Sequence, residues 1–554
     1  MPALGLVASV RRNSTDILVG LWYGAWLILG AWLILRGTPW GIGVRHDSLS
    51  YLTAAENLAQ GKCLCWLGSG GVPKPLVHFG PVYPTLIWAV SHLGPSILEA
   101  ARWIDAVLYG MNLVLSGLLV HWATRRFWAG VLASGLFLVS PVLLQVHDAA
   151  MSEPLFLFFL LLGLFALTAF LGSGKRSQLV VSSLFAAAAI LTRYAGTSFL
   201  LAAVPAVVFL GQGPVRNRIR DAVVFGALAL APVSIWLARN VAIAGNATNR
   251  VFRVHVLDAD HARQFLDVMT RWFGTKVFSH WLEGAALVLL LAALGIFLRR
   301  ARGWPGGGPR AAATLGLILL TFFVAYSLTI ALSKSFFDDS IPVDNRMLFP
   351  LYAALALMAA TVVGIGARRP NWIWALVPFG VLMVAGPLPH MAAEAQQMYG
   401  AMQAEGVGFA SRAWHASASV TWVRTLPADA IVYSNRGLIL QFVTGHEAYQ
   451  LPEGYDSVKA EERTDFDEQV ARMRAALQQP ESYLLIFDPV RPVDPAAIPA
   501  VFLLGLEPYR STEDGIIYRR SSGDASLGGG RLGAAACRLP EGGAEMAWNA
   551  MAGR

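Results

Sequence analysis

Long apolar runs, separated by short polar segments, fill most of the first 390 positions of the chain. Because a transmembrane helix needs about 20 mostly apolar residues, runs close to that length predict membrane spans. Two shorter runs flank Thr192-Arg193-Tyr194 and predict a tight helical hairpin. The pattern predicts an all-α polytopic domain of about eleven transmembrane helices. The runs are Ile17–Arg36, Ile104–His121, Phe127–Leu144, Pro154–Leu171, Gln178–Leu191, Ala195–Leu210, Asp221–Ala238, Trp281–Leu298, Ala311–Leu332, Leu348–Gly366 and Asn371–Leu388.

After residue 390 the pattern changes to that of a small soluble α/β domain. Short β-type runs alternate with helical ones. The expected elements are strands at Ile431–Ser434, Glu447–Leu451, Tyr483–Phe487 and Gly515–Tyr518, and helices at Gly437–Thr444 and Asp465–Gln478. The predicted domains are therefore 1–390 in the membrane, with 37–101 as a first outer loop carrying interfacial helices, and 391–520 outside it. Residues 521–554 are rich in Gly and Ala without periodicity and are predicted to be disordered.

Composition adds that the chain must face lipid. Hydrophobic residues make up 55% of it and charged residues only 14%, whereas soluble domains carry about 25% charged residues. Cysteine is scarce, with three in the chain. Cys63 and Cys65 are separated by one residue, which predicts no ordinary bridge between them, and Cys537 lies in the predicted tail. We therefore expect neither a disulfide framework nor a metal site.

Basic residues mark every second loop, as the positive-inside rule requires. If the N-terminal segment is an uncleaved signal anchor, the N-terminus is cytoplasmic and the C-terminal domain is extracytoplasmic. The net charge of +8 then reflects topology in an inner (plasma) membrane and does not indicate nucleic-acid binding. The clusters are Arg11-Arg12, Arg125-Arg126, Lys175-Arg176, Arg216/Arg218/Arg220, Arg299-Arg300-Arg302 and Arg368-Arg369.

Asp47 stands at the start of the most informative outer loop. The sequence predicts a helix that starts near Asp47 or Ser48, with an apolar stripe that includes Leu49, Leu52 and Ala55. Such a stripe is typical of a helix lying in the membrane interface. Asp47 would thus present a carboxylate at the membrane surface, and capping of the helix is the alternative role.

Two further outer segments carry polar residues next to apolar ones. Between His78 and Pro84 a proline-rich aromatic turn enters a short apolar segment, and a plain turn is the alternative to a site. Between the third and fourth spans, Asp148 and Glu153 lie at the membrane boundary, where acids are costly and often functional. Glu153 precedes Pro154 at a helix start, so capping is again the alternative.

Isolated cations break the charge rule on the outer rim, at Arg193, Arg239, Arg250, Lys334 and Arg346. Cations kept on that side indicate an anion, such as a phosphate at headgroup depth. The alternatives are snorkelling, or pairing with the nearby acids Asp338, Asp339 and Asp344.

With these residues the chain resembles GT-C-fold glycosyltransferases that use polyprenyl-phosphate-linked sugars, similar to aminoarabinose transferases and protein O-mannosyltransferases. The resemblance covers roughly residues 15–390 and rests on the order of several motifs. They are the helix that carries the D-x-x-x-Y motif from Asp47 to Tyr51, the His78–Pro84 turn, Ser152-Glu153-Pro154-Leu155, Leu191-Thr192-Arg193 and Asn345-Arg346…Pro350. The stretch from Leu426 to Pro452 resembles the soluble domain appended to many such enzymes.

The resemblance implies an inverting hexosyl- or pentosyltransferase of cell-envelope glycan biosynthesis. The donor would be a polyprenyl-phosphate sugar among the membrane lipids, and the acceptor a glycan, a lipid or a protein. Asp47 would act as general base, Glu153 or Asp148 would hold the acceptor, and cations would stabilise the lipid phosphate. The implied phosphate ligands are Arg193, Arg239, Lys334 and Arg346, and the implied substrate contacts are Tyr51, His78, Tyr83 and His147.

One departure from the family concerns a metal. Many relatives carry an Asp-Glu pair at the first site, whereas Asp47 is followed by Ser48, and Glu56 is no clear substitute. No metal is therefore assigned, and a divalent cofactor is doubtful. Two other functions stay open, a transporter or flippase of a lipid-linked saccharide and a polymer ligase with a diphosphate-lipid donor. The first would predict inverted repeats, which this sequence does not display.

Overall fold

Ten of the eleven predicted spans lie within helices of the computed structural model, which describes residues 2–69, 72–272, 280–304, 307–337, 342–367, 387–456, 461–490 and 499–521. The eleventh, Asn371–Leu388, lies almost entirely outside the described residues. The helices are α1 Pro2–Gly37, α2 His46–Ala59, α3 Val82–Ser91, α4 Ile97–Thr124, α5 Phe127–Leu138, α6 Pro141–Val146, α7 Glu153–Ser173, α8 Arg176–Thr192, α9 Thr197–Leu210, α10 Val215–Ala244, α11 Ala259–Arg271, α12 His280–Arg302, α13 Gly307–Phe336 and α14 Asn345–Gly366.

Six of these helices are long and apolar enough to cross a membrane by themselves, namely α1, α4, α7, α10, α13 and α14. Shorter apolar helices include α5, α8 and α9. The third predicted span is divided, because Pro141 begins a new helix and Ser140 Oγ accepts a hydrogen bond from Leu143 N at 3.1 Å. The fold class is confirmed: the chain is a multi-pass, mainly helical membrane protein with a small strand-containing unit near its C-terminus.

Close helix contacts in the bundle depend on small residues. α1 packs on α4, and a Cβ atom on Gly30 would lie 2.6 Å from Gly110 Cα. Only glycine allows two backbones to approach this closely, which is a common device in membrane bundles. The pair therefore holds the first span against the helix that supports the outer loop.

The C-terminal unit is built around one five-stranded sheet. Its strand order is β4-β3-β7-β9-β8, with β3 parallel to β4 and β7, and with β9 antiparallel to β7 and β8. Two small antiparallel pairs lie elsewhere, β1 with β2 and β5 with β6. The strands are β1 Cys65–Leu67, β2 Pro73–Pro75, β3 Ile431–Ser434, β4 Ala448–Gln450, β5 Tyr455–Asp456, β6 Glu461–Glu462, β7 Ser482–Phe487, β8 Leu506–Ser511 and β9 Gly515–Arg520.

The described part of this region also contains six helices, of which the first is the longest: α15 Pro387–Glu405, α16 Arg412–His415, α17 Ala418–Val423, α18 Gly437–Thr444, α19 Phe466–Ala476 and α20 Ala500–Leu503. The predicted elements occur where the sequence pattern placed them. Among the described residues the structure also contains β5, β6, α15, α16, α17 and α20, which were not predicted, and the main sheet has one additional strand, β8. Its outer half is exposed, and it contains Pro508, which an edge strand tolerates. The tail predicted to be disordered, 521–554, lies outside the described residues apart from Ser521.

Residues 43 and 44 join the membrane helices to the C-terminal unit through backbone hydrogen bonds. Gly43 N donates to Asp148 O at 3.0 Å, and Ala150 N donates to Gly43 O at 2.8 Å. On the next residue, Phe409 N donates to Val44 O at 2.8 Å. The start of α2 is thus held between the loop that precedes α7 and the chain that enters the C-terminal unit.

The prediction that Cys63 and Cys65 form no bridge is wrong. They are joined by a disulfide, with their Cα atoms 5.2 Å apart, inside the range of ordinary disulfides. A backbone turn brings the two cysteines to this distance, because Cys65 N donates a hydrogen bond to Cys63 O at 2.8 Å and closes a three-residue turn. Spacing along the sequence cannot show such a turn.

Candidate active site

Four chain segments meet on one rim of the bundle: the start of α2, the loop that leads into α7, the turn between α8 and α9, and the start of α14. Each of these segments supplies one charged residue to the meeting point. The His78–Pro84 turn is in tight contact with the end of α8, because a Cβ on Gly80 would lie 2.0 Å from Leu191 O. Glycine is therefore required at position 80 for the two segments to meet.

Asp47 faces a cation and does not cap its helix. α2 begins at His46 with Arg45 as its N-cap residue, and Arg45 N donates to Ser48 Oγ at 2.9 Å. The Asp47 carboxylate instead accepts a hydrogen bond from Arg346 Nη2 at 2.8 Å. The capping alternative for Asp47 is therefore excluded.

Glu153 is the buried centre of the cluster. It is the first residue of α7, and its side chain is fully buried. Oε2 lies 2.7 Å from Arg193 Nη1, and Oε1 lies 3.4 Å from Arg346 Nε. The carboxylate thus contacts two guanidinium groups from different helical hairpins, which helix capping does not require.

Asp47, Arg346, Glu153 and Arg193 therefore form a continuous chain of alternating charge, which we call the ionic chain. Its formal charges cancel, which is the condition under which buried charges are tolerated. Exposure is highest at the Asp47 end and lowest at Glu153: the side chains of Asp47 and Arg346 are 27% and 22% exposed, that of Glu153 0% and that of Arg193 14%. Asp47 is accordingly the carboxylate of the ionic chain that an entering molecule can reach.

The electrostatic surroundings keep Asp47 ionised. Burial raises the pKa of Asp47, but the charges of Arg346 and Arg193, a hydrogen bond from Arg346 and the charge of His78 outweigh it, so that its pKa lies below the ordinary value. The group is therefore a carboxylate at neutral pH. Among the described residues, Arg346 bonds to Oδ2 of Asp47, and Oδ1 stays available to a substrate.

A hydroxyl network supports the ionic chain from behind. Ser152 Oγ accepts from Arg193 Nη1 at 3.1 Å and lies 3.0 Å from the hydroxyl of Tyr51. Tyr51 is buried, and its ring lies 4.9 Å from that of Phe79 and 5.3 Å from that of Tyr83. The aromatic group forms a wall that orients Ser152 and hence Arg193.

Two of the residues expected to contact substrate are fully buried. Tyr83 is fully buried, with its hydroxyl 3.5 Å from both carboxylate oxygens of Asp105. His147 is also fully buried, with Nδ1 2.7 Å from Leu143 O and Nε2 3.1 Å from Asn112 Nδ2. Their positions favour a supporting role. His78, by contrast, is close enough to Asp47 to lower the pKa of its carboxyl group.

Asp148 belongs to a separate ion pair. Its two oxygens lie 2.9 and 3.0 Å from Arg45 Nη2, and its side chain is 2% exposed. Burial raises the pKa of Asp148 to about 6, although Arg45 opposes the shift. Because Arg45 is the N-cap residue of α2, this pair anchors the helix start that presents Asp47.

The remaining expected phosphate ligands lie outside the ionic chain. Arg239 Nη1 donates to Leu76 O at 3.0 Å, and its guanidinium lies 4.6 Å from the ring of Trp236. It therefore supports the loop that carries His78. Lys334 is buried in the last turn of α13, about two helical turns beyond Tyr326.

Sequence reasoning missed three residues of this site: Arg45, Ser152 as a hydroxyl bridge, and Tyr326. Tyr326 OH donates to Met347 O at 2.9 Å, which holds the first turn of α14 beside the ionic chain. Arg45 had a signal, since it is a further cation on the outer rim two residues before Asp47. Tyr326 had none, because it lies in the middle of an apolar run.

No group of three or more His, Cys, Asp or Glu side chains in the described ranges could hold a metal ion. The charged groups that act on Asp47 are those of Arg346, Arg193 and His78. Independence from a divalent metal thus stays a prediction, which a chelator tests.

No protein-family model matches the chain, and no curated protein matches it in sequence. Solved structures do match. ArnT from Cupriavidus metallidurans bound to undecaprenyl phosphate superposes with a TM-score of 0.54 at 13% identity, over 91% of this chain and 98% of that one. The apo state of the same protein gives 0.52 at 14% identity, over 92% and 98%.

A third similar structure is the archaeal oligosaccharyltransferase AglB from Archaeoglobus fulgidus, in complex with an inhibitory peptide and a dolichol-phosphate. It superposes with a TM-score of 0.51 at 12% identity, over 84% of this chain and 69% of that one. At these identities the likeness concerns the fold. The chain has the GT-C fold.

Proposed function

We propose that this protein is a membrane glycosyltransferase that moves a sugar from a polyprenyl-phosphate donor to an extracytoplasmic acceptor, with inversion at the anomeric carbon. The observation that carries the proposal is the ionic chain, in which a reachable carboxylate lies next to two guanidinium groups on one rim of a GT-C fold. Both solved relatives described above hold a polyprenyl-type phosphate lipid in one of their structures.

Asp47 is the general base in this proposal. Its free Oδ1 accepts the proton of the acceptor nucleophile while Oδ2 stays bonded to Arg346. A carboxylate of low pKa is a weak base, but it suffices when the anomeric carbon already carries positive charge and the proton leaves late. Positioning of the nucleophile by a rigid helix start then supplies much of the rate.

Arg346 and Arg193 bind the lipid phosphate. Cleavage of the anomeric C–O bond leaves the bonding electrons on the phosphate oxygen, so the leaving group gains one negative charge as the new glycosidic bond forms. Guanidinium groups stabilise such charge with short, charge-assisted hydrogen bonds. No proton donor to the leaving oxygen is needed when two cations face it.

Glu153 is a positioning residue. It is sealed from solvent and contacts both guanidinium groups, so it orients them without touching a substrate. It also offsets part of their charge, which prevents the phosphate product from binding so tightly that release becomes slow. Asp148 acts indirectly: it binds Arg45, which is the N-cap residue of α2, and so it positions the helix start that carries Asp47.

The protein would lie in the inner (plasma) membrane with a cytoplasmic N-terminus, as the loop charges indicate. The ionic chain would then face the extracytoplasmic side, where lipid-linked sugars are used.

The decisive experiment offers the purified protein a panel of polyprenyl-phosphate sugars and measures release of polyprenyl phosphate. A polyprenyl-diphosphate saccharide in the same panel separates the monophosphate donor from the diphosphate donor of a polymer ligase. Turnover of one or more monophosphate donors, lost in Asp47→Asn, supports the proposal. Transport of an intact lipid-linked saccharide between leaflets without release of lipid phosphate contradicts it.

A further inference from the structure

Two cavities share one edge at the end of the bundle opposite to the ionic chain. One, of about 540 Å³, lies between α9 and α13, and the other, of about 760 Å³, lies at the ends of α10, α12 and α13. Both are bordered by Phe209, Arg299 and Arg302. Arg310, in the first turns of α13, lies about 24 Å of helix from Tyr326 at the active site.

The larger cavity collects cations from three helices. Arg218 comes from α10, Arg299 and Arg302 from α12, and Arg310 from α13. No Asp or Glu occurs among the described residues that border either cavity. The charges acting on Arg302 are those of Arg310 and Arg218, which repel it.

Arg302 has donor capacity that the protein does not use. Its Nη2 donates to Leu210 O at 2.5 Å, but its Nε is buried and has no hydrogen-bond partner among the described residues. A buried guanidinium N–H without an acceptor is costly. Arginines that repel one another around an open cavity are expected where an anion completes the arrangement.

Topology alone does not require this arrangement. The positive-inside rule depends on the number of cations in a loop, and it is satisfied by side chains that point apart into solvent. Here four arginines from three helices border a single space.

The smaller cavity extends this cationic space along the bundle as a groove that apolar residues and Thr321 border beyond the arginines. Pro205, Ala206 and Phe209 of α9 border one side of it and Leu317 of α13 borders the other. Phe209 is 75% exposed, so the groove opens outward at a position where a membrane protein meets lipid. A charged end joined to an apolar groove has the shape of a phospholipid.

We propose that the two cavities form a binding site for a single anionic phospholipid. Its phosphate lies among Arg218, Arg299, Arg302 and Arg310, and one acyl chain follows the groove between α9 and α13. The site is separate from the proposed donor site, because it lies at the other end of the same helices. Basic pockets between transmembrane helices bind lipid headgroups by the same chemistry.

The test titrates the full-length protein in detergent with dioleoylphosphatidylglycerol and with dioleoylphosphatidylcholine and counts bound lipids by native mass spectrometry. We expect the anionic lipid to bind about tenfold more tightly, and Arg299→Gln/Arg302→Gln to remove this preference. Arg216→Gln/Arg220→Gln is the matched control, since it removes two charges from the first turns of α10 that do not border the cavities. It should keep the preference.

Two further arms identify the source of the phosphate. Thr321→Phe fills the groove and leaves the arginines in place, so it should weaken phosphatidylglycerol binding and provide a second variant if the arginine variant fails to fold. Glycerol phosphate, which has the headgroup without acyl chains, should bind far more weakly than the lipid. Equal binding of glycerol phosphate, equal binding of the two lipids, or an equal loss in the control variant would each overturn the proposal.

Discussion

Replacement of Asp47 by asparagine separates the role of its charge from the role of its shape. Asparagine keeps an oxygen that can accept the hydrogen bond from Arg346 at 2.8 Å, so the start of α2 and the ionic chain should keep their geometry. The variant loses the negative charge that accepts the proton. It also leaves Arg346 with Glu153 as its remaining carboxylate contact in the ionic chain.

The expected loss follows from the exposure of the ionic chain. Glu153 is sealed, and its two oxygens face Arg193 and Arg346, so it cannot replace Asp47 as the base. Removing a general base lowers the rate by about 10²- to 10⁴-fold, which corresponds to about 3–5 kcal/mol in the barrier. Donor affinity should stay the same or rise by up to about tenfold, because Arg346 has one competing anion fewer.

The assay measures polyprenyl phosphate released per minute together with the affinity for polyprenyl phosphate itself. Asp148→Asn is the matched control, because it removes the same charge from a carboxylate that also contacts an arginine, here Arg45 at 2.9 Å. It should lower thermal stability while leaving turnover per folded molecule within about tenfold. A turnover of Asp47→Asn within tenfold of wild type refutes the role of Asp47, and equal losses in two well-folded variants refute the separation of the two acids.

Four other outcomes follow from the same geometry. Arg346→Gln should weaken polyprenyl phosphate binding about 10- to 100-fold, because charge-assisted hydrogen bonds to the phosphate are lost. Arg239→Gln, whose guanidinium contacts the loop at Leu76, should change that binding by less than about threefold. Equal effects of the two variants in a polyprenyl phosphate titration contradict the assignment of Arg346 as a phosphate ligand. Since the pKa of Asp47 lies below its ordinary value, activity should persist as pH falls through the ordinary pKa of an aspartate and decline only below it, where Asp47 is protonated. In Arg346→Gln the acid limb of the pH–rate profile should move to higher pH, because a cation that lowers this pKa is lost, and an unmoved limb assigns it to another group. A chelator should leave turnover unchanged, and loss that Mg²⁺ or Mn²⁺ restores would show that a metal is needed. A reporter active only outside the cytoplasm, fused after Leu388, should give signal, and silence would reverse the topology.

The sequence carried most of the active-site prediction because its charged residues are rare in apolar surroundings. Glu153, Arg193 and Arg346 each border an apolar run, and Asp47 lies between the first span and the helix with an apolar stripe. A charge at the membrane boundary is costly unless it has a partner or a function. What the sequence could not supply was the pairing. Asp148 and Glu153 are five residues apart and look equivalent, yet one contacts Arg45 and the other joins two different cations.

The fold shows the same division between local and long-range information. The strands β3, β4 and β7 were predictable from apolar runs between turn residues, and their parallel order depends on contacts across the chain. β8 was missed because its outer half is exposed and displays no apolar alternation. Tyr326 was missed because it lies in an apolar run, where a single hydroxyl does not stand out in the sequence. Only the fold shows that its hydroxyl bonds to Met347 O.

The bridge between Cys63 and Cys65 also provides a test of the orientation proposed for the first outer loop. Disulfides persist in the bacterial periplasm and at cell surfaces, while cytosolic thiols are kept reduced. A bonded pair in this loop is expected to persist only if the loop lies on the side that the arginine clusters predict, and this expectation rests on chemistry that is independent of charge. Intact cells should therefore react with a membrane-impermeant maleimide at these positions only after reduction, which makes the loop its own probe of orientation.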